Sequence, residues 1–283
     1  MIAQEKNYDD SFEIKGNIYA FDSSTIDLCL SVFWRAHFRT TKAGIKLPTL
    51  FDINTQIPVF IQITEANVHD VNAMDIINYE RFAYYIFDRA NVDYSRLYHI
   101  IKPCAYFVVR SKSNLKFKRM YSNKIDKSTG VIYDQTGKIE RFYTSKDYPE
   151  KIRKVKFFDA ENKKMLLFLT NNFDLLVQQI ALLYKQRWQI ELFFKWIKQH
   201  LKVKTFWGTT QNAVRIQINI AIITYCLVSI IAKDLKINRS IYEILQILSA
   251  SLLDKTTVNE LLMKSNYNNV NEHITNQLVF NLF

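Results

Sequence analysis

A chain of 283 residues with 48% hydrophobic and 14% aromatic content can bury a substantial core, which excludes a disordered chain and fits one domain carrying an insertion. A formal charge of +11 and a pI near 9.4 favour an anionic partner, with nucleic acid as the leading candidate. Cys29, Cys104 and Cys226 stand far apart with no Cys-x-x-Cys pair, so neither a disulfide framework nor a zinc site is supported. The N-terminus has no apolar signal region. The most apolar run, 216–232, is interrupted by Gln217, Asn219 and Thr224 and reads as a buried helix of a cytosolic protein rather than a membrane span.

In chain order, Ile18-Tyr19-Ala20-Phe21-Asp22 is a run of strand formers closing on an acid, followed by Ser23-Ser24-Thr25. It predicts a buried strand that delivers Asp22 at its end, although such an aspartate more often serves a turn or cap. Residues 45–51 and 57–64 read as a hairpin joined through 52–56. Asp70 is placed to cap a helix over 71–79, and His69 beside it reads as a surface histidine. Ala83-Tyr84-Tyr85-Ile86-Phe87-Asp88 repeats the first pattern, with Arg89 next. Asp93 is placed to cap a helix running to about Lys102, and 106–110 is a further strand. Two apolar strands that each finish on Asp bring both acids toward one region of a mixed sheet, where open α/β folds tend to place their ligands.

Residues 111–170 change character. Turn signals at Ser128-Thr129-Gly130 and Thr136-Gly137 separate β-rich runs at 131–133, 141–143 and 163–169, which predicts an antiparallel β insertion. This segment also holds most of the positive excess, while residues 1–110 are slightly acidic, so Lys116, Lys118 and Arg119 are candidate phosphate contacts. Helical periodicity returns at Asp174. At about 100° per helical residue, Tyr184, Arg187, Glu191 and Lys198 fall within about 60° of one another, with Lys195 at the edge of the stripe. The opposite arc gathers Ile190, Leu192, Phe193, Trp196, Ile197 and Leu201, which predicts one helix buried against a sheet with a polar edge. As a solvated face, that edge would hold only an Arg187–Glu191 pair worth about 0.2–0.5 kcal/mol.

The spacing of Tyr184, Arg187, Glu191 and Lys198, together with the runs 187–195 and 206–214, resembles the Tyr-Arg-Glu-Lys signature of DDE transposases of the insertion-sequence-four family. Phe21-Asp22-Ser23-Ser24-Thr25 and Phe87-Asp88-Arg89 resemble the sites of that family's first and second acids. Ala90 and Asn91 stand where the family usually has Gly and an aromatic residue, and Pro48 stands where a His is usual.

The resemblance implies an α/β fold, a ribonuclease H-like mixed sheet flanked by helices, with an antiparallel β insertion between the second and third acids. The core would run over 1–110 and 171–235, the basic insertion over 111–170 and a C-terminal helical region over 236–283. Asp22, Asp88 and Glu191 would be the catalytic and metal-holding triad, and Tyr184, Arg187, Lys195, Lys198 and Arg89 would contact DNA. Three carboxylates suit hard divalent cations, Mg2+ best, as two ions with Mn2+ able to substitute. The expected partners are transposon ends and target DNA, with a homodimer in the synaptic complex and no membrane, in the bacterial cytosol. The resemblance also implies that relatives carry an N-terminal DNA-binding region that this chain lacks. The alternatives are a nuclease of the same fold that does not join strands, and a DNA-binding remnant without catalysis.

Overall fold

The computed structural model describes residues 14–28, 37–39, 42–112, 115–140, 147–200, 208 and 210–264, apart from 252 and 254. Its frame is one mixed sheet. The strands are β1 (Ile18–Leu28), β2 (His37–Arg39), β3 (Lys42–Asp52), β4 (Ile57–Ile61), β5 (Thr64–Glu65), β6 (Tyr84–Phe87), β7 (Tyr106–Arg110), β8 (Phe117–Ser122), β9 (Val131–Ile139), β10 (Ile152–Asp159) and β11 (Lys164–Thr170). They follow the order β2-β3-β1-β6-β7-β11-β10-β9-β8, with β4 and β5 also paired to β3. β1, β6 and β7 run parallel, and every other pairing is antiparallel.

Alternation along the strands decides which helix each face receives. Phe21, Tyr85, Phe87, Phe107 and Val109 point to one face, where α1 (Tyr94–Ile101) seats Leu97 and Ile100. The other face is covered in two parts. Ile86, Val108, Val155 and Phe168 receive Ile180 and Leu183 of α2 (Val177–Gln186). Ala20, Leu47 and Phe51 receive Ile190, Phe193, Phe194 and Ile197 of α3 (Trp188–His200), and behind it Ile218 and Tyr225 of α4 (Gln211–Asp234). α5 (Ile241–Ala250) and α6 (Val258–Lys264) close a smaller cluster against the end of α4.

Several local expectations meet their structure here. The hairpin forms between β3 and β4, and the Asp52 carboxylate accepts the amides of Asn54 at 2.8 Å and Thr55 at 3.2 Å in the turn. Asp93 caps α1 by accepting the Arg96 amide at 3.1 Å, and His69 is exposed. Asp70, by contrast, makes no cap: 70–76 is a short 3-10 helix, and the Asp70 carboxylate pairs with Lys46 at 3.3 Å instead. An ion pair with a neighbouring strand outbids the local amide. The strand expected at 141–143 and most of the loop at 206–211 lie outside the described residues.

Gly137 is not a turn but an interior residue of β9, where a Cβ would sit 2.2 Å from the carbonyl of Lys118 on β8. Backbone proximity beside a register shift, rather than a bend, is what requires glycine there. The insertion is also no separate unit, because β11 pairs with β7 and the four insertion strands extend the core sheet.

The expected single helix over 184–198 is two. At Arg187 the ladder tightens to three-residue spacing, with the Arg187 amide on the Tyr184 carbonyl and the Ile190 amide on the Arg187 carbonyl. No Gly or Pro causes the break. α2 packs over β6, β7 and β10 while α3 packs over β1 and β3; strands of a sheet are rotated relative to one another, and a bend between the two helices lets each follow its own strands. The buried stripe of α3 is therefore Ile190, Phe193, Phe194 and Ile197, and Leu192 is 46% exposed rather than buried. α4 differs too. It is long and apolar enough to cross a membrane by length and composition, yet one face is seated in the core while Ile216, Ile220, Ile223, Leu227 and Ile230 face outward.

Candidate active site

Register places the two aspartates. β1 pairs in parallel with β6 up to Phe21 opposite Phe87, so Asp22 and Asp88 are the next residues on neighbouring strands. Asp88 ends its strand as expected. Asp22 does not: β1 continues through Ser23, Ser24 and Thr25 because β3 keeps pairing with it after β6 has stopped. The loss of a neighbour on one side still opens the sheet at Asp22. Two residues beyond Ala20 and Ile86, both acids share the face that α2 and α3 cover.

The helix junction supplies the cation. Arg187, only 17% exposed in its side chain, donates one guanidinium nitrogen to Asp22 at 2.9 Å and another to Glu191 one turn along α3. Tyr184, one turn earlier on α2, donates its hydroxyl to Asp88 at 3.1 Å. Arg187 thus ties a strand acid to a helix acid, and the tight turn aims it between them. Its Nε is buried, with no hydrogen-bond partner among the described residues. Asp22 also accepts the Ser23 amide at 2.8 Å.

The two aspartates sit in opposite electrostatic states. Burial pushes the Asp22 carboxyl above its ordinary range, and the charges of Asp88 and Glu191 push it further, against the Ser23 amide and Arg187. At Asp88 burial also opposes ionisation, but the Arg89 and Ala90 amides, Arg187 and the Tyr184 hydroxyl outweigh it and hold the carboxyl below its ordinary range. Burial lifts the Tyr184 hydroxyl to about 12, which keeps it a donor at neutral pH. Arg187 loses hydration to burial, yet Tyr184 and the three acids raise its affinity for its proton.

These directions have a measurable consequence. The raised Asp22 takes stability from the fold as pH climbs through its folded pKa, whereas the lowered Asp88 contributes stability above its unfolded pKa that is lost as pH falls through the folded one. At pH 7 in EDTA, Asp22→Asn is expected to raise the melting temperature and Asp88→Asn to lower it, by calorimetry. Equal losses in both variants would refute the asymmetry.

The remaining residues singled out from the sequence are less tightly joined to this group. Arg89 opens a short 3-10 helix and is exposed, and its backbone amide, not its side chain, reaches Asp88. Lys195 is exposed and Lys198 half-buried, further along α3. Arg110, at the end of β7, was not singled out, although its charge acts on Tyr184. The strand-end rule that flagged Asp88 applies equally to it. Among the described residues no three His, Cys, Asp or Glu side chains form a ready cage for a metal, since the guanidinium stands between Asp22 and Glu191. The donor chemistry nonetheless fits a hard cation, being three carboxylates whose mutual repulsion is felt at Asp22.

Fold and site together define an α/β protein with an acidic centre at the carboxyl ends of parallel strands, crossed by a helix-borne Tyr, Arg and Glu. Residues 13–227 match the transposase DDE domain, and the chain belongs to that family. The chain is 35% identical over 219 residues to y4zB of Sinorhizobium fredii, a protein described as a transposase, covering 76% of this chain and 61% of that one. It is 29% identical over 214 residues to the protein described as the transposase of insertion sequence element IS5377 of Geobacillus stearothermophilus, covering 73% and 54%. To the corresponding protein of element IS4SA of Synechocystis it is 27% identical over 243 residues, covering 84% and 67%. The chain thus spans roughly half to two thirds of the length of these relatives. A solved piggyBac transposase synaptic complex with hairpin DNA shows 12% identity and a TM-score of 0.43 over 94% of this chain and 58% of that one.

Proposed function

We propose that this chain carries the catalytic core of a DNA transposase of the insertion-sequence-four group, cutting and joining strands at the ends of its element. The observation that carries the reading is the meeting of Tyr184, Arg187 and Glu191 with Asp22 and Asp88, residues 96 to 169 positions apart in the chain yet linked through one guanidinium and one hydroxyl. Family membership supports it, and so does the order β4-β3-β1-β6-β7, with β1, β6 and β7 parallel and α1 crossing between the last two, which suits a ribonuclease H-like core.

In this reading Asp22, Asp88 and Glu191 hold divalent cations, Mg2+ or Mn2+ as two ions. The bound ions supply activation of the attacking oxygen and charge neutralisation at the leaving oxygen of an in-line displacement at phosphorus. The protein's own groups set up that chemistry. Tyr184 orients the Asp88 carboxylate by donating to one of its oxygens. Arg187 offsets the repulsion among the acids. Lys195 and Lys198 extend the positive edge along α3, and Arg89 adds charge beside Asp88. The partners are transposon-end and target duplexes, in a homodimer that holds two ends in the bacterial cytosol.

The test is excision. A plasmid bearing the element with its native ends is expected to lose it when the wild-type frame is expressed, and to retain it with Asp88→Asn, by at least about a hundredfold. Equal excision by Asp88→Asn would sink the proposal.

A further inference from the structure

The basic insertion has two faces, and the structure sorts its cations between them. Register puts Lys154 opposite Gln135, Lys156 opposite Tyr133 and Arg119 opposite Gly137, all on the α1 side of the sheet. Lys118 lies opposite Lys138 on the other side, the side that also carries the buried Arg153 and Asp134. Lys116, Lys118 and Arg119 are therefore not one cluster.

The α1-side group is organised. Lys154 lies over the rings of Phe117 at 4.1 Å and Tyr133 at 5.4 Å, and Lys156 lies 6.0 Å from the Tyr133 ring. Aromatic faces thus hold two ammonium groups in place at little entropic cost. Lys154 is half-buried, and burial, followed by the charge of Arg119, lowers its proton affinity. Among the described residues none of Arg119, Lys154 and Lys156 is paired with a carboxylate. Like charges kept close with no counter-charge are a cost that a bound anion removes.

The row also leads somewhere. β11 runs antiparallel to β7, with the Ser111 amide on the Leu167 carbonyl, and Leu167 lies opposite Lys156, so Lys156 sits at the same end of the sheet as Asp88, on the opposite face. Between them Lys112 donates to the carbonyl of Val92, in the loop that follows Asp88.

We propose that the α1-side face of β8, β9 and β10, with Arg119, Lys154 and Lys156 ordered by Phe117 and Tyr133, is a docking track for the phosphates of duplex DNA that passes Lys112 and turns around the end of the sheet to the acidic centre on the other face. This rests on the DNA-cutting reading and adds to it which face of the insertion the duplex follows. Lys118 and Lys138, exposed on the opposite face, take no part.

The experiment removes the same charge from each face. Binding of a fluorescein-labelled 40-base-pair duplex is measured by anisotropy from low to moderate salt for the wild type, for Lys154→Gln with Lys156→Gln, and for Lys118→Gln with Lys138→Gln. The first pair is expected to flatten the log–log salt slope by about 1.8, or 0.9 per lost phosphate contact, and the second to leave it unchanged. Equal flattening by both pairs means bulk charge alone and overturns the track, as does no flattening by either. No duplex binding by the wild type overturns the track and the DNA reading together, whereas wild-type binding with a failed track leaves the acidic centre standing. Should the first pair fold poorly by circular dichroism, Arg119→Gln with Lys156→Gln, which leaves half-buried Lys154 in place, is expected to flatten the slope equally, and an unchanged slope in that variant overturns the track.

Discussion

Glu191→Gln is expected to abolish Mg2+-dependent cleavage of an end-bearing duplex, by at least about a hundredfold, while duplex binding persists. Glutamine keeps the size and helix propensity of glutamate and changes only charge and acceptor strength. In the structure Glu191 is bonded to Arg187 and its side chain is 54% exposed, so as a mere surface partner it would contribute no more than about 0.2–1 kcal/mol. A loss of that size shifts a melting curve slightly and leaves chemistry alone. A selective collapse of cleavage with an unshifted melting curve therefore requires the carboxylate itself at the reacting centre. Wild-type cleavage by the variant would remove Glu191 from the centre and reduce the Tyr-Arg-Glu-Lys spacing to coincidence.

The parts legible in the sequence are those set by local pattern. Apolar runs ending on acids at Asp22 and Asp88 marked neighbouring strands, because a strand buried on both faces reads as a continuous apolar run. Asp93 as a cap and residues 52–56 as a turn were legible because a side chain meets amides two or three residues away. What the sequence could not carry was long-range. The extension of β1 past Asp22 depends on β3, and the bend at Arg187 falls where the helix passes from β6, β7 and β10 to β1 and β3, strands up to 169 residues earlier. Helical geometry put Tyr184, Arg187 and Glu191 on one stripe, but it could not say that Arg187 would bridge Asp22 and Glu191 while Tyr184 took Asp88. Gly137 misled for the same reason: glycine marks a turn or a close backbone approach with equal ease, and only the neighbouring strand distinguishes them.

The largest expected stability loss lies away from the acidic centre. Arg153 on β10 and Asp134 on β9 form a two-pronged ion pair at 2.8 and 2.9 Å, with both side chains only 5% exposed. Arg153 also donates to the carbonyl of Leu175 at 2.6 Å and of Asn172 at 3.3 Å, just before α2 begins. The pair therefore fixes where the helix carrying Tyr184 starts. Arg153→Met strands a buried carboxylate and is expected to cost about 3–5 kcal/mol. At about 2–4 °C per kcal/mol for a chain of this size, the melting temperature should fall by about 10 °C. Adding Asp134→Leu removes the stranded charge, and a buried ion pair replaced by apolar side chains is often close to neutral. Recovery is expected to be incomplete, because the carbonyls of Leu175 and Asn172 remain without their donor, at about 1–3 kcal/mol for each that stays buried. Calorimetry of the wild type, the single and the double variant separates these contributions. A double variant no more stable than the single would show that the charge of Asp134 is not what Arg153 offsets, and that the two carbonyls alone account for the loss.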